Sequence, residues 1–150
     1  MVDILTSIPF ELLNDKCIPA RQKDNDAGFD LRASKQCKIH RGETQIVPCG
    51  IKIAIPNGFI GIIVGRSGLA SKGIICHTGI IDPNYRGEVG AILNNFSHIT
   101  QNVKNYIDIE VGDRIAQLIV VRNSAMSMFN IDKLSETERG EAGFGSSGVK

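Results

Sequence analysis

Residues Gly79 to Gly90 read GIIDPNYRGEVG, and the carboxylate at their centre, Asp82, is the group in this chain best placed for acid–base chemistry. The apolar pair Ile80-Ile81 leads straight into Asp82, and Pro83-Asn84 turns the chain immediately after it. A carboxylate fixed at a strand end and delivered into a turn is held rigidly yet faces a cleft, as a general base acting on water requires. Tyr85, Arg86-Gly87 and Glu88 then crowd a ring, two charges and a glycine against the same turn. Local chemistry alone also accounts for these letters as an ordinary β-turn, because Pro and Asn are common at its two central positions.

A second group of residues suits phosphate. Gly65-Arg66-Ser67-Gly68 combines glycines that let the backbone approach an anion, a hydroxyl donor and a permanent positive charge. A helical turn hinted at over Leu69 to Lys72 would add free N–H groups at its start. In isolation the tetrapeptide reads better as a plain Gly-rich turn. Gln117 sits in an apolar run, where its amide must find partners. The C-terminal stretch repeats the pattern: Arg139 can pair with a terminal phosphate, Ser146 and Ser147 supply donors, and Gly145 permits close contact. Phe144 stands in a glycine-rich tail with no core to pack into, and its ring could stack on a base for ~1–3 kcal/mol. Asp113 and Arg114 read as a structural ion pair or turn outside this group.

The elements that must position these groups are strands. Ile51, Ile53 and Ile55 alternate with Lys52 and Ala54, and Asn57-Gly58 separates them from Phe59 to Val64 as in a hairpin. Val103 to Val111 alternates again, and Ile115 to Val121 is a nearly continuous apolar run, as in a strand covered on both faces. No long stretch carries a 3.6-residue period. Many short strands punctuated by Gly, Asn and Pro predict an all-β sandwich or barrel with at most one short helix. From Ser135 onward the composition turns to charge, glycine and serine, which predicts a core over residues 1–134 and a mobile arm over 135–150.

At 150 residues the chain fits one domain with a real core. A net charge of +1 suggests neither nucleic-acid steering nor polybasic membrane attachment. Cys17, Cys37, Cys49 and Cys76 lack C-x-x-C spacing and His40, His77 and His98 lack metal spacing, so four reduced thiols are expected. The N-terminal residues do not form a signal peptide pattern and no apolar run reaches membrane-span length, which predicts an intracellular, cytoplasmic protein.

Five segments, in order, resemble the five motifs of the trimeric dUTPases (dUTP diphosphatases). These are Ala27 to Ala33 (AGFDLRA), Gly65 to Ala70 (GRSGLA), the Asp82 segment, Gly112 to Leu118 (GDRIAQL) and Arg139 to Gly148 (RGEAGFGSSG). Any one string is weak, but five in one order across nearly the whole chain are specific. Phe29 stands where that family usually has tyrosine, Arg32 at a variable position, and Asn84 where aspartate or glycine is commoner. The resemblance implies a distorted jelly-roll whose C-terminal arm is exchanged between the subunits of a homotrimer. It implies hydrolysis of dUTP to dUMP and pyrophosphate, with Asp82 as general base and Mg²⁺ held mainly by the substrate's phosphates and, through water, by Asp30. Arg66, Ser67, Gly68, Gln117, Arg139, Gly145, Ser146 and Ser147 would then meet phosphate. Gly79, Ile81 and Asn84 would read the uracil edge, Tyr85 would lie against the deoxyribose, and Phe144 would cover the base. The related dCTP deaminases place a glutamate on the strand after the Asp-Pro turn, where this chain has Ile92. A non-catalytic nucleotide-binding regulator of the same fold is the remaining alternative.

Overall fold

The computed structural model describes residues 7–97, 104–124 and 126–143. Along the chain it forms β1 (Phe10–Leu12), β2 (Phe29–Arg32), β3 (Cys37–His40), β4 (Thr44–Ile53) and β5 (Phe59–Val64). After these come α1 (Ser67–Ala70), β6 (Ile74–Cys76), β7 (Gly79–Ile81), β8 (Glu88–Asn95), β9 (Tyr106–Ile109) and β10 (Arg114–Arg122). One four-stranded sheet has the order β1-β4-β8-β6 and the other β2-β10-β5-β7, while β3 and β9 form a two-stranded ribbon. The described pairings are antiparallel.

Alternation creates the core. Val47, Cys49, Ile51 and Ile53 point inward from β4, Val89, Ala91 and Leu93 from β8, and Ile63, Ile81 and Leu118 meet them from the other sheet. Leu31, Leu93 and Leu118 are at most 1 % exposed, so the layer between the sheets is dry. The jelly-roll-like all-β sandwich with one short helix is therefore the observed architecture.

Three local expectations change. Asn57-Gly58 does turn the chain, with Gly58 at φ +83°, but β4 and β5 do not pair as a hairpin. Both edges of β4 are already taken by β1 and β8, so the turn carries the chain across the core into the second sheet. Ile80 is 58 % exposed while Ile81 is buried, because a three-residue edge strand shows one face to each side. In β10, Ala116 and Leu118 are buried but Ile119, Val120 and Val121 are only half-buried, so this chain covers only one face fully. Val103 lies outside the described residues.

One irregularity matters later. Between Pro48 and Lys52 β4 carries extra residues relative to β8, and Gly50 takes φ +65° in that bulge. The last strand among the described residues ends at Arg122. The described residues beyond it form no strand, and Met126, Met128, Phe129 and Leu134 are each at least 78 % exposed. Among the described residues no helix is long and apolar enough to cross a membrane.

All four cysteines are free. Burial pushes the Cys49 thiol up to about 12, whereas an unfolded thiol titrates near ~8.5. A raised folded pKa stabilises the fold below the unfolded value, and that contribution is lost as pH rises from about 9 toward about 12. Native protein at pH 8 should therefore leave Cys49 unmodified by a thiol reagent. The urea midpoint should decline above pH 9, and Cys49→Ala should flatten that decline.

Candidate active site

The register of β10 against its two neighbours assembles the cleft. Gln117 lies opposite Asp30 on β2 and opposite Val64 on β5. Val64 runs directly into Gly65-Arg66-Ser67-Gly68, so the first, second and fourth segments meet in one row. The resulting cleft of ≈ 310 Å³ is lined by Gln22, Asp26, Ala27, Gly28, Asp30, Arg66 and Gln117. Gly28 lets its strand lie against β10, since a Cβ there would stand 3.1 Å from the Leu118 carbonyl oxygen.

Asp30 is the electrostatic hub. Its side chain is only 3 % exposed, with Arg66 Nε 3.1 Å from Oδ1 and Arg114 Nη1 3.3 Å from Oδ2. Gln22 Nε2 also donates to Oδ2 at 3.1 Å. The Arg66–Oδ1 contact is an ion pair off the hydrogen-bond axis, which leaves Oδ1 buried without a hydrogen-bond partner. One carboxylate against two guanidiniums gives the trio one net positive charge beside the cleft. Arg114 thus belongs to the site and pairs with Asp30. Asp113 is the turn residue, its Oδ2 accepting from the Glu110 N–H.

Ser67 and Gly68 open α1 and are exposed. The helix cap residue, Arg66, supplies no side-chain cap because its guanidinium reaches Asp30 and donates to the Arg114 carbonyl at 3.1 Å. The first N–H groups of the turn, which no helical carbonyl can satisfy, are open to an anion beside a glycine with nothing within 4 Å of its Cβ position. The helix starts at Ser67, ahead of Leu69, which places those donors on the second segment itself. Gln117 is half-buried and, among the described residues, its side chain has no hydrogen bond, so it faces the cleft and not a core partner.

The Asp82 turn lies elsewhere. Asp82 follows β7 directly and is exposed, and among the described residues its carboxylate makes no hydrogen bond or ion pair. The Tyr85 N–H donates to the Asp82 carbonyl at 3.1 Å and the Tyr85 hydroxyl to the Glu88 carbonyl at 3.0 Å. The Tyr85 ring is 44 % exposed, so it is not a core residue. Strands β2 and β7 are opposite edges of one sheet. Asp82 follows Ile81, which pairs with Gly61, and Asp30 shares its row with Val64. Three strand spacings across and four residues along put the two carboxylates roughly 20 Å apart. The chain does not bring Asp82 to its own cleft.

Arg139 is exposed and closes a local turn by donating from Nε to the Ala142 carbonyl at 2.9 Å. Phe144, Gly145, Ser146 and Ser147 lie outside the described residues. Among the described residues no three His, Cys, Asp or Glu side chains converge as a metal site. Asp30 is the carboxylate of the lining that would face a hydrated cation carried by a ligand, and its Oδ1, shut off from solvent here, lacks a hydrogen-bond partner. Gln22 and Asp26 complete the lining, and Arg114 stands behind it paired with Asp30; sequence reasoning left out all three. Arg114 was accessible to it as the neighbour of Gln117 within one segment, whereas Gln22 and Asp26 lie outside any recognisable pattern.

The fold and cleft define an all-β protein with a polar cleft built from β2, β10 and the β5–α1 turn. The dUTPase family model matches residues 14–148, and the chain belongs to that family. It is 41% identical over 140 residues to the mitochondrial deoxyuridine 5'-triphosphate nucleotidohydrolase of Dictyostelium discoideum, covering 92% of this chain and 75% of that protein. Identity to the enzyme of Solanum lycopersicum is 39% over 148 residues, 95% of this chain and 84% of that one. A variant of the Staphylococcus bacteriophage 80alpha dUTPase solved with dUpNHpp superimposes with a TM-score of 0.87 at 28% identity, over 96% of this chain and 99% of that one.

Removing the Asp30 charge should unbalance two guanidiniums. Asp30→Asn is expected to cost about 2–3 kcal/mol in urea denaturation, below the ~3–5 of a fully buried pair because both arginines reach solvent. A neutral result would show that the trio contributes little to the fold.

Proposed function

We propose that this protein is a dUTP diphosphatase that hydrolyses dUTP to dUMP and pyrophosphate through an active site shared between subunits. The observation that carries the reading is the separation of a built phosphate cleft from an unpartnered carboxylate in a chain of the dUTPase family. Each half lacks what the other supplies. A closed homotrimer completes the site: Asp30, Arg66, Ser67, Gly68 and Gln117 come from one subunit, the Asp82 turn from a second, and Arg139, Phe144, Gly145, Ser146 and Ser147 from a third.

In this reading the triphosphate lies along the Ser67–Gly68 amides and Gln117, drawn by the net charge of the Asp30–Arg66–Arg114 trio. Asp82 takes a proton from the water that attacks the α-phosphorus, and pyrophosphate leaves. Backbone groups at Gly79, Ile81 and Asn84 pair with the uracil edge, and fixed polar partners reject a mispaired base strongly. Tyr85 lies against the deoxyribose and excludes a 2′-hydroxyl. Mg²⁺ arrives with the substrate, neutralising phosphate charge, and Asp30 Oδ1 would hold one of its waters. The arm over residues 135–150 closes over the bound nucleotide, with Phe144 against the base, and excludes water. The half-buried Ile92 on β8 offers no acid for deamination.

Incubation with dUTP, dCTP, dTTP and UTP plus Mg²⁺ should release pyrophosphate from dUTP alone, with the base unchanged. Asp82→Asn should bind dUTP with unchanged affinity while kcat falls roughly 10²–10⁴-fold. Near-normal turnover in that variant would remove Asp82 from the role of base.

Sharing has its own test. Asp82→Asn protein and protein ending at Glu138 should each be inactive. Refolding them together should restore a minor but clear fraction of the activity, because each mixed trimer contains a single site with both an intact carboxylate and an intact arm. A mixture as inactive as its parents would contradict the shared site.

A further inference from the structure

We infer that Glu88 is a positioning residue. Its carboxylate ties the start of β8 to the β4 bulge and thereby fixes the turn that carries Asp82 and Tyr85. The inference deepens the proposed function and rests on it for its kinetic consequence only.

The turn from Asp82 to Gly87 leaves β7 in one sheet and enters β8 in the other, so it spans the open end of the sandwich. It is tied mostly to itself. Arg86 Nη1 donates to the Pro83 and Tyr85 carbonyls, both at 2.7 Å, and the Tyr85 hydroxyl reaches the Glu88 carbonyl. The ring lies over Gly87, where an added Cβ would stand 2.6 Å from Tyr85 Cζ. Such a self-contained loop moves as one piece unless something fastens it to the body.

The Glu88 side chain is that fastening. Its Oε1 accepts from the Gly50 N–H at 2.9 Å and from Ser34 Oγ at 3.3 Å. Its cross-strand neighbour, Lys52, turns away to Glu11 at 3.4 Å, so the carboxylate serves the bulge and not an ion pair. The bulge is itself pinned. Its Gly50 carbonyl accepts from the Leu13 N–H at 2.8 Å, and a Cβ at Gly50 would stand 2.8 Å from Ser34 Cβ and 3.0 Å from Cys17. The Ser34 N–H donates to the Pro48 carbonyl at 2.8 Å, and the single hydroxyl proton of Ser34 is shared between that carbonyl at 3.1 Å and Glu88 Oε1. The Tyr85 hydroxyl ends on the backbone of the very residue whose side chain is anchored here. Position therefore passes from a rigid, left-handed glycine in the core sheet to the ring and carboxylate at the turn.

Reach, not charge, is what the bridge needs, so two conservative variants separate the alternatives. Glu88→Gln keeps an acceptor at the same distance without the charge, whereas Glu88→Asp keeps the charge but is one methylene short. Expected are a Gln variant within ~3-fold of wild type and an Asp variant whose kcat/KM for dUTP falls about 10–100-fold, the scale of a 1 Å misplacement. The dUTP-over-UTP preference should fall with it, because Tyr85 loses its anchor. Amide exchange at Gly50, followed by NMR, should stay slow in the Gln variant and accelerate in the Asp variant. That readout needs no activity, so it tests the brace even if wild type fails to hydrolyse dUTP, which would instead refute the proposed function. A Gln variant that is impaired while Asp is normal would overturn the inference. An Asp variant that loses stability but keeps both kcat and selectivity would do the same.

Discussion

The buried carboxylate of Asp30 is the interaction on which the cleft depends. It takes one guanidinium from the residue that caps α1 and another from the first residue of β10. Three separate stretches of chain are thereby held in one register around a charge that none could bury alone. Taking a carboxylate out of water is costly unless its partners are close, and here both lie within 3.3 Å. The geometry leaves one carboxylate oxygen buried without a hydrogen-bond partner, and the second guanidinium balances the Asp26 carboxylate on the cleft wall. Gln22, Asp30 and Arg66 also line the cleft, so the same side chains support the fold and shape that space.

A second constraint separates the base from this cleft. β2 and β7 are edge strands of one sheet, with β10 and β5 between them. A jelly-roll-like sandwich has no way to bring its two edges together without closing the sheet. The exposed carboxylate of Asp82 at one edge and the Asp30 cleft at the other are the reason a site shared between neighbours is proposed. The exposed Ile80 and the half-buried outer residues Ile119 and Val121 agree with that arrangement, since they lie on the face of the same sheet that this chain leaves open.

Much of this was legible in the amino-acid sequence. Period-two alternation over Ile51 to Ile55 marked buried positions correctly, and the absence of any 3.6-residue period limited helix to one turn. Asp82 at a strand end and Gly65 to Gly68 as an open turn were also readable. The Asn57-Gly58 hairpin was not, because an Asn-Gly turn reports local φ and says nothing about which strands already flank β4. Asp113 and Arg114 illustrate the same limit: adjacency suggested a pair, but Asp113 is engaged within its turn by the Glu110 N–H, and Arg114, the first residue of β10, finds Asp30 across a ladder. Gln22 and Asp26 left no signal, since loop residues enter a site through tertiary packing alone.

The bulge at Gly50 connects these threads. It exists because β4 carries extra residues against β8, and a strand irregularity leaves a backbone N–H without a ladder partner. Most proteins satisfy such a group with water or a nearby hydroxyl. Here it is satisfied by Glu88, the residue at which the Asp82 turn rejoins the sheet. A local defect in one sheet is thereby converted into a fixed point for a turn that must otherwise bridge two sheets unaided. Rigidity is wanted at that place for a chemical reason. In the proposed shared site, a base acting on a water held by another subunit would gain nothing from freedom, because every ångström of its motion is lost alignment.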